Sequence, residues 1–328
     1  MQRWDHAMPH FLRFWAIASI FVVCAHARKH FHQTKYVPVV LMHGLFMTHV
    51  HMQHIERRLK RAYPGIIVVN LQIHDDHFGS FFTPMNVQLE RVARAIQSDS
   101  RLQDGFDFYG ESLGGLLARA YVNKYNTPRV HNLISMNAPQ AGIGSNPIPR
   151  NPIYSQGCTL VFPLLAIYGF IETIFPRLAH WLFVYDWPNC SWCGFWKDNR
   201  HGIDSYREQN TWLAGISNEL EKEKNKELYR ANMLSLNKYM CIRATKDWVI
   251  SPSFSAHHRF WKWEDAGRTD KTIPYLNETQ GYKEDVLGLR SLDERGALIL
   301  AEFNGNHQAY SYGWWDKHVM LPMLGNQL

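Results

Sequence analysis

From Val37 onward, short apolar runs alternate with amphipathic stretches. Val37 to His43 (VPVVLMH) is nearly continuous in apolar residues, the pattern of a strand buried on both faces. Met52 to Ala62 predicts a helix, ended by Pro64-Gly65, and Ile66 to Ile73 (IIVVNLQI) predicts a second strand. Between Asn86 and Gln97, the residues Val87, Leu89, Val92, Ala93 and Ile96 recur at helical spacing. Phe106 to Tyr109 then reads as a strand, Ser112 to Tyr125 as a helix and Val130 to Met136 as a strand. This alternation predicts a mostly parallel sheet flanked by helices and joined by right-handed crossovers.

The pattern breaks at about residue 141. Up to about 236 the chain is rich in Pro, Trp and Phe and contains no strand-helix unit, so it reads as a mainly helical lid inserted between two central strands. Strands resume at Tyr239 to Thr245 and Ala297 to Phe303, and Ala309 to Leu324 reads as a closing helix. Val161 to Tyr185 is long and apolar, but Pro163, Glu172, Pro176 and Arg177 interrupt it. It is expected to pack as part of the lid and to line a groove for an acyl chain, rather than to cross a membrane.

The N-terminus carries a different signal. Arg3 and Arg13 precede a short apolar run, Phe14 to Ala25, and Ala25-His26-Ala27 has the small-x-small form of a cleavage site. A bilayer span takes about 20 apolar residues, so residues 1–27 are expected to be a cleaved secretory signal and residues 28–328 one folded domain. Four cysteines follow the signal: Cys158, Cys190, Cys193 and Cys241. In an oxidising compartment they permit two disulfides, with pairing left open. Asn189-Cys190-Ser191 and Asn277-Glu278-Thr279 are N-glycosylation sequons.

Composition narrows the function classes. Apolar residues are 46% and charged residues 20% of the 328-residue chain, which describes a globular protein with a substantial core. The net charge of +6 favours weak peripheral attraction to anionic membranes. No basic stripe stands out, so a nucleic-acid partner is not expected.

Gly110-Glu111-Ser112-Leu113-Gly114-Gly115 follows the strand ending at Tyr109 and opens an amphipathic helix. That is the context of the G-x-S-x-G nucleophile elbow, in which a serine sits on a sharp turn flanked by small residues. A serine hydroxyl needs a general base, and the base needs an orienting acid. In this fold the order along the chain is serine, acid, histidine. Asp247 follows the Tyr239–Thr245 strand, and His307 lies on the turn just past Phe303. Asp198 and Asp265 are the rival acids. Together these features predict an α/β-hydrolase with Ser112, Asp247 and His307 as catalytic residues.

The carbonyl oxygen under attack becomes negative, and backbone N–H groups must meet it. Leu113 N–H is one candidate oxyanion donor, and Leu45 N–H, in the turn His43-Gly44-Leu45, is the other. His43, His49, His51 and His54, and the run His74-Asp75-Asp76-His77, have ligand-like chemistry without any recognised zinc spacing. Neither a metal nor a cofactor is expected.

The sequence resembles the palmitoyl-protein thioesterases over about residues 37–324. The likeness is carried by VVLMHG, PGIIVVNLQI, SFFTPMNVQLERV, LISMNAPQAG, IRATKDWVISP around Asp247, and GNH at His307. Phe195-Trp196-Lys197-Asp198 looks like that family's Trp-His-Asp-Pro region, which implies a structural role for Asp198. The resemblance implies a lysosomal hydrolase of long-chain fatty acyl thioesters, with acylated proteins or lipid thioesters as substrate. This chain departs from the family in carrying Leu113 where Gln is common and Asn306 where Asp is common. An oxyester lipase on the same machinery is the alternative, and a lipid-binding protein without catalysis the remote one.

Overall fold

The structure is a computed structural model that describes residues 35–144, 191–197, 202–265 and 271–327. Six strands form one parallel sheet: β1 Val39–Met42, β2 Val68–Asn70, β3 Phe106–Glu111, β4 Val130–Met136, β5 Lys238–Ala244 and β6 Leu298–Phe303. Their spatial order is β2-β1-β3-β4-β5-β6, and every neighbouring pair is parallel. The chain steps from β1 outward to β2 and then back across to β3. The carboxyl ends of β1 and β3 therefore flank a topological switch point, where parallel sheets collect their sites.

Both faces of the sheet are buried, and alternate side chains of each strand serve separate cores. Val40, Met42, Phe106 and Phe108 face one layer, and Val39, Leu41 and Tyr109 face the other. The first layer is closed by α3 (Met85–Ser98) and α4 (Leu113–Lys124), through Val92, Ile96, Leu116 and Tyr121. The second is closed by α1 (His49–Ala62) and the C-terminal segment, through Met52, Ile55, Leu59, Trp315 and Met323. A one-turn helix, α2 (Gly79–Phe82), lies between α1 and α3 in sequence.

In the stretch 141–236 the described residues form four short helices: α5 Ser191–Phe195, α6 Gly202–Gln209, α7 Thr211–Ile216 and α8 Lys226–Leu234. Helix α8 is laced to the end of α4 by the Asn232 amide donating to Asn123 C=O at 2.9 Å, and it delivers the chain to β5. The expected groove segment Val161–Tyr185, the signal 1–27 and Asp198 lie outside the described residues. Among the described residues, no helix is long and apolar enough to cross a membrane.

Two elements differ from their sequence expectation. Strand β2 has three residues instead of eight, since only Val68–Asn70 pair with β1 at that edge of the sheet. The expected closing helix is broken into α9 (Tyr312–Trp315), a π-helical turn (Asp316–Met320) and α10 (Leu321–Met323). Pro322 has no N–H for the preceding turn and its ring crowds the carbonyl four residues back, so the backbone widens ahead of it. Of the four cysteines expected to permit two disulfides, Cys241 is a free thiol inside β5, where burial pushes its pKa up to about 12. Cys158 and Cys190 lie outside the described residues.

Candidate active site

Ser112 sits between β3 and α4 with φ 53° and ψ −124°, in the left-handed half of backbone space that a residue with a Cβ rarely adopts. Three glycines make this turn sterically feasible. A Cβ on Gly110 would lie 2.4 Å from Gly114 O, and one on Gly114 would lie 2.4 Å from Met42 O. A Cβ on Gly44 would approach Ser112 Cβ to 3.0 Å. The β1 turn can therefore lie directly against the serine. The serine's own N–H is fixed to Met136 C=O of β4 at 2.8 Å.

A polar layer behind the elbow holds it still. The Gln140 amide donates to Gly115 C=O at 3.1 Å and to Ser135 Oγ at 2.7 Å. Its Oε1 accepts from Arg119 Nε at 2.6 Å, and Arg119 is fully buried in α4. Burial lowers the guanidinium pKa, while hydrogen bonds to Gln140 C=O and Ile216 C=O occupy its remaining nitrogens.

His307 and Asp247 meet at 2.7 Å, Nδ1 to Oδ2. The Asp247 side chain is 2% exposed and that of His307 10%. The second carboxylate oxygen, Oδ1, accepts from the N–H groups of Val249 and Ile250 at 2.9 and 3.0 Å. All of Asp247's charge is thus directed to one imidazole and two fixed dipoles. The loops carrying the pair are stitched together at the ends of β5 and β6: Thr245 N–H donates to Phe303 C=O at 3.0 Å, and Lys246 N–H to Gly305 C=O at 2.9 Å. The rival Asp265 is committed elsewhere. Its Oδ2 accepts from Thr272 N–H at 2.7 Å and from Thr272 Oγ1 at 2.6 Å.

Leu113 is the first residue of α4, so its N–H has no partner within the helix. Leu45 lies in the turn against Ser112, and no acceptor among the described residues takes its N–H. The preceding His43 is completely buried, with its pKa lowered to about 4 chiefly by burial, so it is neutral. Its Nδ1 meets Gly44 C=O at 2.9 Å and steadies the turn.

His51, His54 and His74 of this region make local hydrogen bonds. Thr48 N–H donates to His51 Nδ1 at 3.1 Å, and His54 Nδ1 meets His51 C=O at 2.7 Å. His74 is wedged between Arg91, which donates to Nδ1, and Gln88 Oε1, which meets Nε2 at 3.2 Å. Asp76 Oδ1 accepts from the N–H groups of Phe78 and Gly79 at 2.8 and 2.7 Å and starts α2. Asn277 is exposed on a short 3-10 turn, accessible to a modifying enzyme; Asn189 lies outside the described residues.

Sequence reading missed two residues of this site. Glu111, immediately before the serine, is buried and accepts from the phenols of Tyr109 and Tyr310. A carboxyl inside an otherwise apolar elbow was the available signal. Gln308, immediately after His307, turns its amide toward Gly44. It gives no comparable signal.

A parallel sheet whose strand order reverses between β1 and β3, with a serine elbow at that switch point, defines an α/β-hydrolase. Residues 38–307 match the palmitoyl protein thioesterase family. The chain belongs to that family of hydrolases. Similar proteins include palmitoyl-protein thioesterase 3 of Dictyostelium discoideum, 34% identical over 88% of this chain and 92% of the other. Palmitoyl-protein thioesterase 1 of Caenorhabditis elegans is 28% identical over 84% and 87% of the two chains. The human lysosomal thioesterase PPT2 is 26% identical over 85% and 84%.

Proposed function

We propose that this chain hydrolyses long-chain fatty acyl thioesters, on proteins or on small thiols, through an acyl-Ser112 intermediate. The observation that carries the reading is the His307–Asp247 contact at 2.7 Å, with the adjoining Gln308 amide turned toward the Gly44 turn that lies against Ser112, itself held at φ 53°. With Nδ1–H committed to Asp247, the Nε2 lone pair is the free base. It takes the Ser112 proton as Oγ bonds to the acyl carbon. The carbonyl oxygen turns negative against the N–H groups of Leu45 and Leu113. The C–S bond then breaks, the thiolate takes the proton back from His307 and departs as the thiol, and the neutral imidazole activates the water that hydrolyses the acyl-serine.

An apolar surface supports a fatty chain as the acyl group. Phe46, next to Leu45, stacks on Phe81 at 4.9 Å, and the neighbouring Phe78 and Phe82 are 40% and 51% exposed. Each buried methylene contributes about 0.8 kcal/mol, so kcat/KM should rise from butanoyl to palmitoyl thioester. The names of the relatives, the signal-like residues 1–27, exposed Asn277 and the sequon at Asn189 support a glycosylated protein of the secretory pathway destined for the lysosome. A charge of +6 suits transient contact with anionic membranes. The test is kcat/KM on palmitoyl thioester against the matched oxyester and a glyceride. The thioester should win, and a strong oxyester preference would make this chain a lipid esterase.

A further inference from the structure

Gln308 carries two costs that nothing among the described residues offsets. Its backbone stands at φ 57°, in a turn closed by Ala309 N–H donating to Asn306 C=O at 3.0 Å. An L-residue with a Cβ is disfavoured there. In addition, its Nε2 is sealed from solvent and has no hydrogen-bond partner among the described residues. The other buried glutamine amides are satisfied. Gln88 donates to Ser80 C=O at 2.9 Å and Thr83 C=O at 2.7 Å, and Gln140 donates to Gly115 C=O and Ser135 Oγ. Backbone strain and an unmet donor in one residue are the pattern of a group held ready for a ligand.

The position says which ligand atom. A methyl placed on Gly44 would lie 3.0 Å from Ser112 Cβ, 3.4 Å from Glu111 C=O and 3.5 Å from Gln308 Nε2. One methyl-sized space thus separates the unpaired N–H from the serine residue, and it lies over the turn that carries Leu45 N–H. Gly44 keeps that space empty.

We infer that the Gln308 side-chain amide is a third donor to the acyl carbonyl oxygen, alongside the N–H groups of Leu45 and Leu113. This rests on the reading of Ser112 as the nucleophile. The amide donor is fixed in place before substrate arrives, and its hydrogen bond strengthens as the oxygen gains charge. It forms no covalent bond and moves no proton. Its effect therefore falls on kcat and not on ground-state binding.

The test compares Gln308→Met, of similar size without a donor, with Gln308→Gly. The glycine also removes the amide but suits a positive φ. Both should lose on the order of 10²-fold in kcat on palmitoyl thioester, with KM nearly unchanged. The glycine variant should melt no lower than wild type. A palmityl trifluoromethyl ketone, whose serine adduct carries the oxyanion, should bind each variant more weakly by the same factor as kcat falls. The matching thioether, which has no carbonyl oxygen, should bind all three alike. Full kcat in either folded variant would overturn the inference, as would equal weakening of ketone and thioether. Wild-type protein that neither binds the ketone nor reacts with a fluorophosphonate at Ser112 would instead remove the nucleophile reading itself. A wild type that reacts, with silent Gln308 variants, would remove this inference alone.

Discussion

Glu111 accepts a hydrogen bond from Tyr310 at 2.5 Å, so the residue before Ser112 is tied to the loop that carries His307. Tyr109 donates to the same Oε1 at 2.7 Å, and Trp315 Nε1 in turn donates to Tyr109 at 3.2 Å. Burial, with Glu111 adding to it, raises both phenols well above the usual range and keeps them protonated. The network sits between elements almost 200 residues apart in sequence.

Tyr310→Phe removes one donor from a buried carboxyl and should cost about 1–3 kcal/mol of stability. Because the bond spans the two halves of the site, kcat should fall as well. A double-mutant cycle with Glu111→Gln should return a coupling of about 0.5–3 kcal/mol in denaturant titrations. Strict additivity would mean that the two residues act separately.

Asp247→Asn should lower kcat on the order of 10⁴-fold, through the wrong imidazole tautomer. Asp265→Asn should leave kcat of the folded protein within a few-fold and cost about 1–3 kcal/mol of stability, because its carboxylate serves Thr272. Steady-state kinetics beside thermal melts separates the two. Equal rate losses in fully folded variants would mean the acid is misassigned.

The Asp247–His307 pair was legible because chain order and strand ends are local signals: each residue falls just past a strand whose pattern is plain. The elbow was legible for the same reason, since Phe106–Tyr109 and the helix after Ser112 each show their own period. Glu111 and Gln308 were not, because Tyr310 reaches Glu111, and the Gly44 turn comes to lie against Gln308, only through tertiary folding. The elements between β5 and β6 were unread for another cause. The described residues there form 3-10 turns and helices of six residues or fewer, such as Ser253–His257 and Leu289–Glu294, too short to show a period. Nor does the apolar spacing at the C-terminus reveal what Pro322 does to the helix around it.

Acid should destabilise the fold through buried imidazoles. His43 and His257 have pKa values lowered to about 4 from 6.5, and His258 is well below 6.5, each chiefly by burial. Unfolding lets all three take up protons between pH 6.5 and 4, so stability is lost as pH falls through that window. Asp107 opposes them. Burial pushes its carboxyl up to about 7, so unfolding releases its proton over most of the same window. Asp107→Asn should therefore steepen the dependence of unfolding free energy on pH by about 1.4 kcal/mol per pH unit. Urea titrations from pH 4 to 6.5 check this, and parallel curves for the two proteins would refute it.

The central claim is that Ser112 is the nucleophile, and covalent labelling by a serine-directed fluorophosphonate tests it most directly. Folded wild-type protein should gain one adduct, located at Ser112 by peptide mass. Ser112→Ala should gain none while melting at the wild-type temperature, and prior incubation with the palmityl trifluoromethyl ketone should block the reaction. No labelling of folded wild type, or labelling that persists unchanged in Ser112→Ala, would contradict the account.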